Sequence, residues 1–350
     1  MDERVLKWIT ILTAAMTVII CVSLYFFPGL HEHEILMAQQ KKGSGEGRMV
    51  SVSAKPSQVV EEEEYENAQL SIGLPKRVQK EDIRLEKDDM LQTIYIFYPD
   101  AVQDYFGNYK IRGSSDHIEE ISYYMEGNEG VIALKLDNVY ELASEYRQGS
   151  LYLKFLDPHE VYDKVVVLDA GHGSHAPGAV KLGIAEKDID LAILLETKKL
   201  FDSCPENIGV YYTRTEDTNP TLEQRVGLAN KTKADLFISI HNNSDASGSF
   251  TATSGTQVMY SESDQSELSG KKLAQICLDQ VSGHFGSKNR GLLKGDKIYI
   301  IRESRGPAAL IEVGFMTNYE ELDRLNDPKY QKKAAEGIYE AVLEAFKEGY

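Results

Sequence analysis

Cysteine is scarce in this chain and basic residues are outnumbered by acidic ones, which bears on the metal sites and partners that can be expected. Only three cysteines occur in 350 residues. Cys21 lies in an apolar run, and Cys204 and Cys277 are not spaced as a metal site, so we expect structural thiols. Lysine and arginine total 38 against 55 acidic residues, which gives a formal net charge of −17. Because no basic surface dominates to neutralise phosphates, nucleic acid is not an expected partner.

Long uncharged apolar runs are also missing, with one exception near the N-terminus. Residues 8–27 carry no charge, and at 1.5 Å per residue such a helix spans about 30 Å of hydrocarbon. Arg4 and Lys7 precede the run and the next lysine is Lys41, which favours a cytoplasmic N-terminus. We therefore expect residues 1–28 to form a cytoplasmic tip and a single-pass signal-anchor. A cleaved signal peptide is the alternative, but the run exceeds the usual apolar core and no clear cleavage site follows.

Composition divides the next part of the chain into two segments. Residues 29–67 are rich in Gly, Ser, Lys, Gln and Glu, and are predicted to be a flexible acidic linker. Residues 68–158 hold short β-prone segments separated by Gly, Asn and Asp, and are predicted to form a small, mostly β domain with one helix over residues 139–146. Its aromatic residues fit a sheet core better than a glycan-stacking surface; they are Tyr95, Phe97, Tyr105, Tyr109, Tyr123, Tyr124 and Tyr152.

Four ionisable residues stand at chemically suggestive places in the remaining part, where strand-like and helix-like patterns alternate. His172 follows the apolar strand of KVVVLDAGHG, and His241 ends that of DLFISIHN. Glu186 opens the helix that follows the first strand, and Glu312 lies inside the apolar run AALIEVG, where an unpartnered ionised carboxylate would be unfavourable. Two histidines and a glutamate form a known catalytic zinc set that leaves a fourth position for water. This pattern predicts a zinc site with Glu312 as general base, in a layered α/β domain.

The same residues carry a resemblance to a known family. Residues from about 163 to 350 resemble the zinc-dependent N-acetylmuramoyl-L-alanine amidases of the bacterial cell wall, the amidase type 3 family. The matching blocks are VVVLDAGHGSHAPGA, GIAEKDIDLAI, VYYTRTED, LEQRVGLAN, ADLFISIHNN, RGLL and PAALIEVGFMTNYEE. Ala176 departs from the pattern, since the family commonly has an acidic residue there. We expect this departure to affect the loop without loss of metal.

The resemblance implies a site, a fold and a function. It assigns His172, Glu186 and His241 as ligands of Zn²⁺ and Glu312 as the catalytic carboxylate, with no other cofactor-binding residue. It implies a mixed sheet flanked by helices for residues 163–350, preceded by the small β domain and the transmembrane helix. The β domain is placed like the wall-targeting domains that some family members carry.

The implied reaction is hydrolysis of the amide between the lactyl group of N-acetylmuramic acid and L-alanine of the stem peptide. The expected partners are peptidoglycan and the membrane, with the enzyme anchored at the cell membrane and facing the wall. No protein partner is predicted. A related zinc exopeptidase acting on wall peptides remains an alternative. A non-catalytic wall-binding scaffold is another, although all four site residues are intact.

Three other polar residues are interpreted more conservatively. His175 lies three residues after His172, but its loop position favours exposure or substrate contact over metal binding. Arg214 and Arg225 match recurring family positions, and we expect them first to pair with buried carboxylates or carbonyls.

Overall fold

The structure is a computed structural model that describes residues 68–114, 116–264 and 268–350, together with the backbone of Val52–Ala54. These residues belong to one compact unit. The anchor predicted over residues 8–27 lies outside them. So does the predicted linker, except for Val52–Ala54, which forms a strand.

Among the described helices, none is both long enough and apolar enough to cross a bilayer.

The first part of the described chain is a β-sandwich. Its strands are β1 (Val52–Ala54), β2 (Leu70–Gly73), β3 (Arg84–Asp88), β4 (Thr93–Pro99), β5 (Ile111–Gly113), β6 (Ile118–Glu126), β7 (Glu129–Leu136), β8 (Glu141–Arg147) and β9 (Ser150–Leu156). They form two antiparallel sheets, with strand orders β1-β6-β7-β4-β3 and β5-β2-β9-β8. One hydrophobic core joins the two sheets and includes Ile72, Ile96, Tyr123, Leu134 and Leu153. A 3-10 turn (Lys80–Asp82) and two one-turn helices, α1 (Tyr105–Asn108) and α2 (Pro158–Val161), complete this part.

The prediction of a helix over residues 139–146 was wrong, because most of this segment forms strand β8. Leu142 and Tyr146 have a helix-like spacing of four, yet β8 pairs antiparallel with β9 along its whole length. The reason lies in the connecting turn. Gln148 and Gly149 both have positive φ, 49° and 80°, as a two-residue hairpin turn of type I′ requires.

The second part is a three-layer α/β domain. Its strands are β10 (Lys164–Ala170), β11 (Val180–Lys181), β12 (Ile184–Ala185), β13 (Ile208–Tyr212), β14 (Leu236–Asn243), β15 (Thr256–Tyr260), β16 (Asn289–Lys294) and β17 (Ala308–Phe315). Its helices are α3 (Glu186–Phe201), α4 (Leu222–Lys231), α5 (Gly270–Phe285), α6 (Tyr299–Arg302), α7 (Tyr319–Leu325) and α8 (Pro328–Lys347). Six strands form a sheet in the order β13-β10-β14-β17-β15-β16. Strands β13, β10, β14 and β17 are parallel, and β15 is antiparallel to β17, so the sheet is mixed as expected.

Side chains alternate between the two faces of this sheet, as strand geometry requires, and both faces carry apolar residues. On one face, residues such as Val166, Ile238 and Ile311 pack with the helices α3, α5 and α8. On the other face, Val165 and Phe237 pack with α4 and α6. The sheet is thereby buried on both sides, which explains the continuous apolar runs in its parallel strands.

The β-sandwich packs directly against the second of these faces. Val139, which precedes β8, belongs to the same core cluster as Val165 and Tyr211. The Tyr211 hydroxyl donates to Glu141 Oε1 at 2.5 Å, and Lys87 Nζ lies 2.6 Å from the same oxygen. The two parts therefore share apolar and polar contacts within one unit.

Candidate metal centre

The four candidate site residues meet at one edge of the α/β sheet. Because β10, β14 and β17 are parallel neighbours, their carboxyl ends lie together. His172 lies two residues past β10, His241 lies near the end of β14, and Glu312 is its register partner on β17. Glu186 is the first residue of α3. The sequence placed three of these residues at element ends and Glu312 within a strand, and the fold brings all four to one place.

Glu186 is the centre of this cluster. Its Oε1 atom lies 3.0 Å from His172 Nε2 and 3.1 Å from His241 Nδ1, and the two imidazole centroids are 4.8 Å apart. The other carboxylate oxygen, Oε2, accepts a hydrogen bond from the Ala179 amide at 2.8 Å. Glu186 is only 5% exposed. Burial would raise its pKa, but the two imidazoles hold the pKa well below its usual range. The carboxylate is therefore ionised and fixed in place.

Two glycines make this approach possible. A Cβ atom on Gly171 would lie 2.2 Å from the His241 ring, and one on Gly178 would lie 2.5 Å from Glu186 Oε2 and 2.7 Å from His172 Cδ2. Such distances are incompatible with any side chain. Gly178 also has φ +67°, which glycine adopts without strain. Gly171 of the motif DAGHG and Gly178 of HAPG are thus required by the packing of the proposed ligands.

The backbone at His172 is left-handed and is held there by buried arginines. His172, Gly173 and Ser174 have φ values of 58°, 132° and 45°. Arg225 donates to the His172 carbonyl at 2.6 Å, and Arg214 donates to the Gly171 carbonyl at 2.7 Å. These contacts confirm the structural interpretation of both arginines. The two arginines stabilise the left-handed backbone at His172, because a non-glycine residue in this conformation needs support from its surroundings.

A buried ion pair with Asp169 holds Arg225 in place. Asp169 and Arg225 are 1% and 3% exposed, and Asp169 Oδ1 lies 2.5 Å from Arg225 Nη1. Ser239 and Thr213 donate their hydroxyls to the same carboxylate. Burial alone would raise the pKa of Asp169, but Arg225 and the two hydroxyls hold the pKa below its usual value. The pair thus satisfies charges that would otherwise be unfavourable in the core.

Asp190 is a member of the cluster that sequence reasoning missed. One ligand atom from each of His172, Glu186, Asp190 and His241 can be chosen so that all four lie within 4.8 Å of one another. Asp190 is fully buried and accepts a hydrogen bond from Asn242 Nδ2 at 2.7 Å. Burial and the charge of Glu186 raise its pKa well above the usual value. The available signal was spacing, because Asp190 follows Glu186 by four residues and so shares its helix face.

Glu312 lies at the same edge with one oxygen unpaired. Its Oε2 atom is buried and has no hydrogen-bond partner among the described residues. Burial raises the pKa of Glu312 to about 7, while the nearby His241 acts in the opposite direction. A carboxyl group of this kind can exchange a proton near neutral pH.

The donor set fits a metal of the zinc type. Two imidazoles and a carboxylate are common zinc ligands, and both imidazoles converge on one oxygen of Glu186. Asp190 Oδ2 and Glu312 Oε2 are buried without partners in the described part of the chain, and a bound cation would offset the unfavourable burial of these oxygens. His175 lies apart from this cluster, exposed, with its Nε2 3.4 Å from Asn219 Nδ2.

Fold and cluster together define an α/β protein with a candidate metal site at the carboxyl edge of a mixed sheet. Residues 166–344 match the family model described as N-acetylmuramoyl-L-alanine amidase. This is just over half of the 350 residues, and the chain belongs to that family. The match begins in β10, so the β-sandwich lies outside it.

Individual relatives agree with this assignment. An uncharacterised protein of Bacillus subtilis, YqiI, is 38% identical over 180 residues, which cover 51% of this chain and 83% of the relative. The germination-specific N-acetylmuramoyl-L-alanine amidase of the same organism is 32% identical over 199 residues, covering 53% and 81%. The crystal structure of an N-acetylmuramoyl-L-alanine amidase from Clostridium difficile 630 is 30% identical with a TM-score of 0.50, covering 53% of this chain and 98% of that one.

Proposed function

We propose that this protein hydrolyses peptidoglycan at the amide between the lactyl group of N-acetylmuramic acid and the L-alanine of the stem peptide. The observation that carries the proposal is the convergence of His172, Glu186 and His241, with Glu312 beside them, in a chain of the amidase family. We assign the first three as ligands of Zn²⁺ and Glu312 as the general base.

The protein groups have separate roles in this reaction. When bound, zinc supplies positive charge that polarises the scissile carbonyl and acidifies a water molecule. Glu312 accepts a proton from the attacking water. It then delivers this proton to the amide nitrogen as the carbon–nitrogen bond breaks. The products are the lactyl carboxylic acid on the glycan and a stem peptide with a free L-alanine amine.

Neighbouring groups keep the ligands in position. The Ala179 amide donates to Glu186 Oε2 and ties this ligand to the preceding loop. Arg225 holds the His172 carbonyl. Holding groups in a reactive geometry before substrate binds removes much of the entropic part of a barrier.

We further propose that the enzyme is anchored by residues 8–27 in the cell membrane, with its catalytic part outside the cytoplasm and facing the wall. The uncharged run and the preceding basic residues support this location. Protease treatment of intact protoplasts tests it. The catalytic part should be degraded while a cytoplasmic marker survives, whereas protection of both would contradict the orientation.

The activity is tested with the full chain in mild detergent on purified peptidoglycan, with and without a chelator and added zinc. Mass analysis should identify stem peptides with a free L-alanine amine, and the chelator should abolish their release. Release of single amino acids or cut peptides would instead indicate an exopeptidase. Bound protein with an intact wall would indicate a scaffold.

A further inference from the structure

A pair of stacked aromatic rings, one of them exposed, lies in the loops that follow two strands of the candidate metal centre. The rings of Phe250 and Tyr319 are 3.7 Å apart between centroids and are inclined by only 7°. Tyr319 is 59% exposed. Phe250 is partly buried and packs against the core beneath α3, α5 and α8. One ring is therefore anchored, and it holds a second ring at the surface.

The chain connections place this pair at the edge of the sheet that carries the site. Phe250 lies in the loop after β14, the strand of His241, and Tyr319 begins α7 directly after β17, the strand of Glu312. The two strands are parallel and adjacent. Both aromatic residues therefore follow a site residue by fewer than ten positions and emerge at the carboxyl ends.

Hydrogen bonds fasten the two loops to each other. The Met316 amide donates to the Asn243 carbonyl at 2.7 Å, and the Thr251 amide donates to the Thr317 carbonyl at 2.8 Å. The Asp245 amide donates to Thr317 Oγ1 at 2.9 Å. Three bonds between segments that carry the rings give a preformed surface, and preformed surfaces bind ligands with a smaller entropic cost.

A β-hairpin is tied by one hydrogen bond to the 244–255 loop, which carries Phe250. Strands β11 and β12 connect the His172 loop to Glu186, and the Lys181 ammonium donates to the Gly248 carbonyl. Val180 and Leu182 of this hairpin are 47% and 70% exposed. With Tyr319 they are three of the seven large hydrophobic side chains exposed in the part of the chain that the structure describes. Exposed apolar side chains on segments that adjoin a site are typical of ligand contact.

We propose that Tyr319, supported by Phe250, is a subsite on which an N-acetylated sugar ring of the glycan strand stacks. This inference rests on the proposed function and specifies how the same site selects its substrate. The apolar CH face of a pyranose ring is flat and uncharged and matches an aromatic face. The acidic stem peptide fits less well, because Glu320 follows Tyr319 directly and the Asp245 amide bonds to Thr317, so these loops carry two carboxylates against the one ammonium of Lys181.

The test measures binding without turnover, so that it does not depend on the reaction. In a Glu312→Gln background, full-length protein is titrated with tetra-N-acetylchitotetraose, a neutral glycan without peptide, and separately with the peptide L-alanyl-γ-D-glutamyl-L-lysine. Adding Tyr319→Ala should weaken glycan binding about three- to tenfold, the size expected for loss of one aromatic stacking partner. Peptide binding should stay within about twofold.

Two further variants separate a binding surface from a structural one. Tyr319→Phe keeps the ring and should retain glycan binding within about twofold. Leu91→Ala removes a 37% exposed apolar side chain from the turn between β3 and β4, and should leave both affinities unchanged. Melting temperatures are recorded for all variants, and Phe250→Ala should lower glycan affinity along with Tyr319→Ala.

Three results would overturn the inference. Unchanged glycan affinity in Tyr319→Ala would remove the subsite, and a loss confined to the peptide would make it a stem-peptide surface. If protein with Tyr319 and Phe250 intact does not bind the glycan, the subsite is likewise ruled out. Because these titrations need no hydrolysis, they leave the proposed amidase reaction to be judged by product analysis.

Discussion

The β-sandwich and the α/β domain differ most in what they bury. Among the described residues, Thr93 is the one buried polar side chain of the sandwich, whose core is otherwise aliphatic and aromatic. The α/β domain buries Asp169, Glu186, Asp190 and Arg225, among others, close to the strand ends that form the site. Buried charge is unfavourable unless it is paired or meets a ligand. The location of buried charge therefore distinguishes the α/β domain, where it lies at the candidate site, from the sandwich, whose core is apolar.

The tyrosines of the two parts also differ in their burial. Tyr105 and Tyr123 of the sandwich are each 1% exposed, and their rings stack with centroids 5.1 Å apart. They belong to the core and cannot serve as a glycan surface. Tyr319 in the α/β domain is 59% exposed beside the site. Residue type alone does not distinguish these environments, whereas burial does.

The largest expected effect is on turnover and comes from a single carboxyl group. Glu312→Gln removes the proposed base while preserving shape, so hydrolysis of peptidoglycan should fall by about 10²- to 10⁴-fold. Zinc content and melting temperature should be nearly unchanged. Rate measurements on purified wall and metal analysis of the same sample check both points. Retained activity would remove Glu312 from the mechanism.

A second change should act on metal rather than on proton transfer. His241→Ala deletes one proposed ligand, and the purified variant should hold well below the one zinc per chain expected of the parent. Elemental analysis after dialysis measures this directly. His175→Ala is the matched control, because that histidine is exposed and lies apart from the cluster. Stoichiometric zinc in His241→Ala would show that the ligand assignment is wrong.

The third prediction concerns stability of the charged core. Arg225→Ala leaves Asp169 as an unpaired buried carboxylate, and the free energy of unfolding should fall by about 3–5 kcal/mol. Lys198→Ala removes an exposed partner of Asp202 on α3, and exposed pairs contribute about 0–1 kcal/mol. Urea unfolding of both variants gives the comparison. Equal losses in the free energy of unfolding would mean that the buried pair stabilises the fold no more than the exposed pair does.

The smallest effect is expected where the two parts touch. Tyr211→Phe removes the hydroxyl that donates to Glu141, while Lys87 remains close to that carboxylate. The unfolding free energy should drop by about 1 kcal/mol, with activity per folded molecule unchanged. Circular dichroism and fluorescence should report one coincident transition in both proteins. Separate transitions for the two parts would show that their packing is weaker than the contacts indicate.

Much of this architecture could be predicted from local patterns. The apolar run before His172 and the one that contains Glu312 are strands, and the sequence Thr221 to Gln224 forms a capping box at the start of α4. These features depend on neighbours in the chain, so they can be recognised from it. Strand β8 was mistaken for a helix because its spacing is ambiguous, and pairing with β9 decided its conformation.

The residues that can do the chemistry are visible without a structure, since two histidines and a glutamate stand at element ends and a second glutamate lies inside an apolar run. Contacts made in the folded chain bring Asp190 to these residues and require Gly171 and Gly178 to lack side chains. Such contacts also place Phe250 under Tyr319 from another loop. These features escape local patterns because propensity and periodicity act over a few residues. Burial, close approach and electrostatic neighbourhood are set by parts of the chain that are distant in sequence.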